Sequence, residues 1–280
     1  MASPACPASA APILPDRSTV AASATAPTLE RVRPLLLPGP GARALTRTEG
    51  YLDLIGGPGP ASTGMAQDFM LGGVVPRIYE RWWRPTLGRV IKGPFGPGMR
   101  DEHWIAHLLL ALSPGDAVLD VACATGYFTR GFAQTVGREG LAVGVDVSET
   151  MLARAVADTV AAGLGGHAAY VRADAQELPF VEGVFDAVCC FAALHLFADP
   201  ERALDRMTAM LAPGGRIAIF TSARGRTAPL RTWESVAGAR SGMRLFERDE
   251  VVRALERRGF EDTRQRLAGL TQFVGGRLAG

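Results

Sequence analysis

VLDVACATGYFTR, residues Val118–Arg130, is the stretch on which the reading of the fold turns. A short apolar run carries one acid, Asp120. Small residues follow, and a helix then starts. A strand that passes through small residues into a helix brings its backbone close to a ligand. The rest of the chain can be read outward from that turn.

The pattern repeats downstream. Apolar runs fall at 117–122, 141–146, 168–173, 185–191 and 215–222. Each is nearly continuous in apolar residues, as strands buried on both faces should be. Helical patterns lie between them. One covers 129–136. A second, 148–163, has Ser148 as N-cap. A third starts at Asp199 and stops at Pro213-Gly214-Gly215. Such alternation predicts a mostly parallel sheet with helices on both faces. Residues 224–246 are irregular, and 247–258 form an amphipathic helical pattern. DTRQRLAGL and TQFVGGRL then sit almost end to end, which predicts an antiparallel hairpin closing one edge.

Upstream the pattern is weaker. Residues 1–28 place five prolines among Ala, Ser and Thr and read as a disordered, dispensable extension. Residues 29–64 read as a short N-terminal segment and linker. In it LERVRPLLL and GYLDLI are short strands around PGPGA, and GGPGPASTG is the linker. A helix is expected over 67–89, containing Tyr79, Trp82 and Trp83. Another is expected over 100–112, ended by Ser113-Pro114-Gly115.

Composition narrows the function. The 280 residues suffice for one large domain or two small ones. A formal net charge of +2 implies no polyanion partner, so a small molecule fits better than nucleic acid. The four cysteines form no CxxC pair, so no metal site is expected. Adjacent Cys189 and Cys190 suit reduced, buried thiols. No run reaches the ~18 apolar residues of a membrane span. Prolines interrupt any secretory h-region. A plastid transit peptide and a disordered bacterial extension both remain open for the first residues. The second is preferred, with a cytoplasmic location.

In an open parallel sheet the ligand lies beyond the carboxyl ends of the strands, at the switch point. Ala122, Ala124 and Gly126 let the backbone approach it. Asp146 ends the next strand, where its carboxylate can accept both hydroxyls of a ribose. A dinucleotide would call for G-x-G-x-x-G, but the third glycine position is Tyr127. The spacing instead fits the G-x-G-x-G turn of S-adenosylmethionine (SAM) enzymes, with Gly126 as its last member.

On these residues the chain resembles a class I SAM-dependent methyltransferase of the type 11 group, which includes quinone-biosynthesis C-methyltransferases. VLDVACATG resembles the first motif, VGVDVSETMLARA the ribose-binding second strand and VRADAQELPF the adenine-binding third. FDAVCCFAALHLF resembles the fourth strand, and LAPGGRIAIF the turn into the fifth. The resemblance implies a Rossmann-like fold over 65–280. Its sheet is seven-stranded and mostly parallel, with an antiparallel C-terminal hairpin. The implied cofactor is SAM. Asp120 and the backbone of Ala122, Cys123, Ala124 and Gly126 would hold its methionine part. Asp146 would hold the ribose, Val147 and Met151 would pack on the adenine, and Asp174 with Ala175 would meet its amino group. Phe191 would lie beneath the donor. Ala122 and Ala124 stand where the family commonly has glycine. A methyl is tolerable at each if the dihedrals stay ordinary.

Methyl transfer to a hydroxyl, phenol or acidic carbon also needs a base. His195, after strand four, is the candidate, with a structural role as the alternative. Tyr79, Trp83 and His103 are candidates for a cap over the substrate, formed by 65–112 and 223–246. The resemblance therefore implies transfer of a methyl group to a small-molecule acceptor, with lipid-, quinone- or polyketide-like acceptors preferred. The alternative is a SAM-binding regulatory or partner protein without catalysis. GYLDLI also resembles the end of a small zinc ribbon found in some relatives. Without cysteine pairs it would be a metal-free remnant.

Overall fold

The computed structural model describes residues 17–59, 92, 96–225 and 243–280. Among these, nine strands form one sheet in the order β1-β2-β5-β4-β3-β6-β7-β9-β8. Its centre is β3 (Ala117–Val121), flanked by β4 (Leu141–Asp146) and β6 (Phe185–Phe191). Beyond β4 lies β5 (Ala168–Arg172), and beyond β6 lies β7 (Leu211–Ser222), all mutually parallel. The chain runs outward one way through β4 and β5, then returns to β6 on the other side of β3. The switch point therefore lies between β3 and β6.

Side chains alternate across this sheet. Leu119 and Val121 join a core with helices α6 (Pro200–Met210) and α7 (Glu250–Glu256). Val118 joins the opposite core, with α3 (Met99–Leu110), α4 (Tyr127–Val136) and α5 (Glu149–Ala161). Strands covered on both faces need apolar residues at every position, which is why the runs read as continuous. Ser148 caps α5 by accepting from the Met151 N–H, and Asp199 caps α6 by accepting from the Arg202 N–H. The hairpin is as expected, with β8 (Phe260–Ala268) and β9 (Thr271–Leu278) antiparallel and β9 antiparallel to β7.

Three expectations need correction. The helix before β7 ends at Met210, and Leu211 already pairs with Phe185. Pro213-Gly214-Gly215 is thus an irregularity inside the strand pairing rather than a helix stop. The sheet also has nine strands where seven were expected. The extra two are β1 (Leu45–Thr46) and β2 (Leu52–Asp53), and β2 adds in parallel to the free edge of β5.

The third correction concerns the first residues. Residues 17–28, read as part of an extension, belong to helix α1 (Arg17–Val32), so Leu29–Val32 is helical rather than a strand. A 3-10 turn, Arg33–Leu35, and α2 (Pro38–Arg43) follow. Tertiary contact overrides the poor local propensity. Leu29 and Val32 are buried in the core. The Thr25 hydroxyl donates to Gly50 O at 3.0 Å, and the Thr28 hydroxyl donates to Gly165 O at 2.7 Å. A Cβ on Gly50 would lie 2.6 Å from Thr25 Oγ1, and one on Gly165 would lie 2.9 Å from Ala24 O. The helix therefore approaches the domain through two glycines.

Candidate functional site

The turn after β3 is more strained than the sequence suggested. Ala122, Ala124 and Gly126 have φ of 58°, 49° and 72°. All three lie in the left-handed region, so the dihedrals at the two alanines are not ordinary. Only Gly126 adopts this without steric cost. It also has no room for a side chain, because a Cβ there would lie 2.3 Å from the Tyr170 hydroxyl. Tyr170 is fully buried beneath the turn and hydrogen-bonds Thr159 Oγ1 at 2.7 Å.

The left-handed conformation costs about 1–2 kcal/mol at a non-glycine residue. Glycine gives back about 0.4–1 kcal/mol through the entropy of the unfolded chain. Ala122→Gly and Ala124→Gly should therefore each raise stability by roughly 0.5–1 kcal/mol. Chemical denaturation of the two variants checks this. A loss of stability at both would mean that the methyl groups pack better than the dihedrals suggest.

Charged groups fix the turn from both sides. Asp120 is buried, and its carboxylate accepts from the Thr129 hydroxyl of α4 at 2.6 Å. Asp146, at the end of β4, accepts from Ala124 N–H at 2.9 Å with one oxygen. Its other oxygen accepts from Ser148 N–H at 2.9 Å. Burial pushes the Asp146 carboxyl up, against these backbone donors. Cys123 N–H donates to Val145 O, tying the turn to β4. Burial, first, and the acids Asp146 and Asp120 push the Cys123 thiol well up, so it stays protonated.

Each Asp146 oxygen uses one of its two lone-pair directions on the backbone. Two acceptor directions remain, which matches a vicinal diol. Beyond β5, Asp174 accepts from Gln176 N–H at 2.8 Å, and Ala175 is buried beside it. Met151 is buried at 2% exposure under the α5 cap, and Val147 is partly exposed. Phe191 ends β6 in an aromatic cluster, 4.9 Å from the Phe128 ring, 5.9 Å from Phe220 and 6.0 Å from Phe273.

His195 lies in a 3-10 turn, Leu194–Leu196, after β6, with Nδ1 3.2 Å from Thr221 Oγ1. Burial pushes it down to about 4, below the range expected from sequence. His103 is also pushed down to about 4, by burial first and then by His107. Its ring stacks on Phe128 and Phe132 and abuts Gly131, so it packs on α4. Both imidazoles are neutral at pH 7. Because the unfolded chain takes up protons near 6.5 that the folded chain refuses, stability falls as pH drops from 6.5 towards 4. Tyr79, Trp82 and Trp83 lie outside the described residues.

Two charged residues escaped the sequence reading. Asp53 of β2 is fully buried, and Arg172 of β5 is 4% exposed. The guanidinium reaches Asp53 at 3.2 Å and Val147 O at 3.0 Å. The available signal was one charge inside each of two apolar strands, YLDL and YVR.

Residues 118–215 match a family model described as a methyltransferase domain. These residues form a methyltransferase domain. The methyltransferase domain is 39% identical over 112 residues to the ubiquinone/menaquinone biosynthesis C-methyltransferase UbiE of Teredinibacter turnerae, covering 40% of this chain and 45% of the relative. The same enzyme of Ectopseudomonas mendocina is 38% identical over 112 residues, covering 40% and 44%. The match spans less than half the length of these relatives. Among solved structures, the [4+2]-cyclase SpnF superposes with a TM-score of 0.59 at 18% identity, covering 79% of this chain and 97% of its own. Phosphoethanolamine N-methyltransferase 2 of Haemonchus contortus, in complex with S-adenosylhomocysteine, gives 0.58 at 15% identity, covering 72% and 59%. At these identities the likeness carries the fold of the methyltransferase domain and nothing finer. Among the described residues no helix is long and apolar enough to cross a membrane, and no cluster of His, Cys, Asp and Glu could hold a metal.

Proposed function

We propose that the protein transfers a methyl group from SAM to a small apolar acceptor, with a quinone-like ring as the preferred class. The observation that carries this is the Asp146 carboxylate, fixed at the end of β4 beside the turn after β3 by Ala124 and Ser148, with acceptor capacity for a ribose. The curated relatives, named as quinone-biosynthesis C-methyltransferases, support the acceptor class. The clustered rings of Phe191 in β6, Phe128 in α4, Phe220 in β7 and Phe273 in β9 support an aromatic acceptor. Cys123, Cys189 and Cys190 are buried and in no disulfide, consistent with a reducing, cytoplasmic setting.

When bound, SAM supplies an electrophilic methyl on sulfur, and in-line displacement makes positioning the main catalytic demand. The chain's own residues divide that work. Asp120 and the 122–126 backbone hold the methionine end. Asp146 holds the ribose, Val147 and Met151 flank the base, and Asp174 and Ala175 meet its amino group. His195 takes the acceptor's proton on Nε2, which requires the tautomer with its proton on Nδ1, the nitrogen 3.2 Å from Thr221 Oγ1.

An imidazole pushed down to about 4 is a weaker base than an ordinary one. The His195→Ala loss should therefore fall towards the lower end of the range for general-base help, about 10²–10⁴-fold. Turnover should stay level around neutrality and fall as pH approaches about 4, where the ring protonates. A His195→Gln variant that keeps full turnover across pH would make the residue a positioning group.

A second reading remains because the cyclase SpnF shares the fold. A SAM-binding protein without methyl transfer would bind the donor in calorimetry. It would move no label from methyl-labelled SAM to a panel of quinone precursors. Label transfer supports the proposal, and failure to bind SAM overturns both readings.

A further inference from the structure

We propose that Asp53 and Arg172 are positioning residues for the donor, through which the N-terminal segment sets the turn that carries Asp146. The inference rests on the SAM reading above for its ligand, but its geometry is independent of it. Asp53 sits in a two-residue strand one in from the sheet edge, and its side chain is fully buried. A buried carboxylate is costly unless it is paired and hydrogen-bonded. Asp53 accepts from Ile55 N–H and Gly56 N–H at 3.0 Å each and meets Arg47 at 2.9 Å and Arg172 at 3.2 Å. Burial alone would raise its carboxyl, but the backbone donors and Arg172 outweigh that and hold it low.

The Arg172 guanidinium spends its donors in four directions. Nη1 meets Asp53 and, at 2.7 Å, Glu149 in the first turn of α5. Nη2 donates to Gly57 O at 2.9 Å. Nε donates to Val147 O at 3.0 Å. Val147 is the residue between Asp146, which holds Ala124 N–H, and Ser148, which caps α5. A staple for β2 alone would need only the Asp53 contact. The bond to Val147 O extends the connection to the 146–148 turn, and through Asp146 to Ala124. Only a planar, five-donor group can hold these partners together. Without Asp53, the charge on Arg172 loses its fully buried partner and is drawn towards the half-exposed Glu149, away from Val147 O.

The test compares Asp53→Asn and Arg172→Lys with Val32→Ala, an apolar core variant of α1 that removes no hydrogen bond or charge. Calorimetric SAM affinity, thermal midpoint and amide exchange of the ligand-free protein are measured for each. Both polar variants should weaken SAM binding about 3- to 30-fold. They should also speed exchange at Ser148 and Ala124 in the free protein. Val32→Ala should lower the midpoint and leave both other readouts unchanged. Arg172→Lys keeps the charge, so it carries the test if Asp53→Asn does not fold. Unchanged affinity in both polar variants overturns the proposal. So does an affinity loss that tracks the midpoint equally in all three. Should the wild type not bind SAM, the functional reading fails, while faster exchange would still support the link between β2 and the turn.

Discussion

Replacing Asp146 with alanine is expected to weaken SAM binding by roughly 1.5–3 kcal/mol, about 10- to 150-fold, the scale of hydrogen bonds to a charged group. Two losses combine. The acceptor pair for the ribose hydroxyls disappears, and the Ala124 and Ser148 N–H groups lose their partner. The second loss loosens a turn that already holds two alanines in the left-handed region. Asp146→Asn separates the two effects. Its amide oxygen can still accept from one backbone N–H, but the NH₂ group cannot accept from a ribose. Calorimetry on the folded variants checks the result. Unchanged affinity in Asp146→Ala would remove this residue from the donor site.

The second large effect concerns the first residues of the chain. A truncation starting at Leu29 removes Thr25 and Thr28, leaving the carbonyls of Gly50 and Gly165 without these partners. A buried acceptor stripped of its donor costs about 1–3 kcal/mol, so the two together cost on the order of 3 kcal/mol. Leu29 and Val32 also lose the helix that holds them in the core. For a domain of this size the thermal midpoint should fall by on the order of 10 °C. This reverses the expectation from composition that residues 1–28 can be removed without effect. A truncated protein with an unchanged midpoint would restore that expectation.

The contrast between these regions shows what the sequence could carry. From Ala117 to Ser222 each strand is covered on both faces, so burial is written as an unbroken apolar run. Helices there announce themselves through local caps such as Ser148 and Asp199. The N-terminal helix has no such local signature. Its sequence is rich in Ala, Ser and Thr and contains Pro27, and its stability comes from contacts with Gly50 and Gly165 far along the chain. At the site, Asp120 and Asp146 were legible because each sits where a strand meets a turn. Arg172 and Asp53 were not, since a charge inside an apolar strand has no meaning until its partner is known. Nor could spacing alone reveal that Ala122 and Ala124 take left-handed dihedrals.

The two-residue strand β2 also bears on how copies of the chain meet one another. An open strand edge is a template for pairing with another chain, and apolar β5 would offer one if it ended the sheet. Instead β2 occupies that edge, and the outermost strand becomes β1, only two residues long and exposed at both. At the far side β8 faces solvent with Glu261, Arg264 and Arg266, and an irregularity near Asp262 breaks its pairing register. Short length at one end, and charge with a broken register at the other, both discourage strand addition. Loss of residues 45–53 would therefore do more than weaken one domain. It would turn β5 into a nucleus for aggregation, visible as rising light scattering at concentrations where the intact chain stays clear.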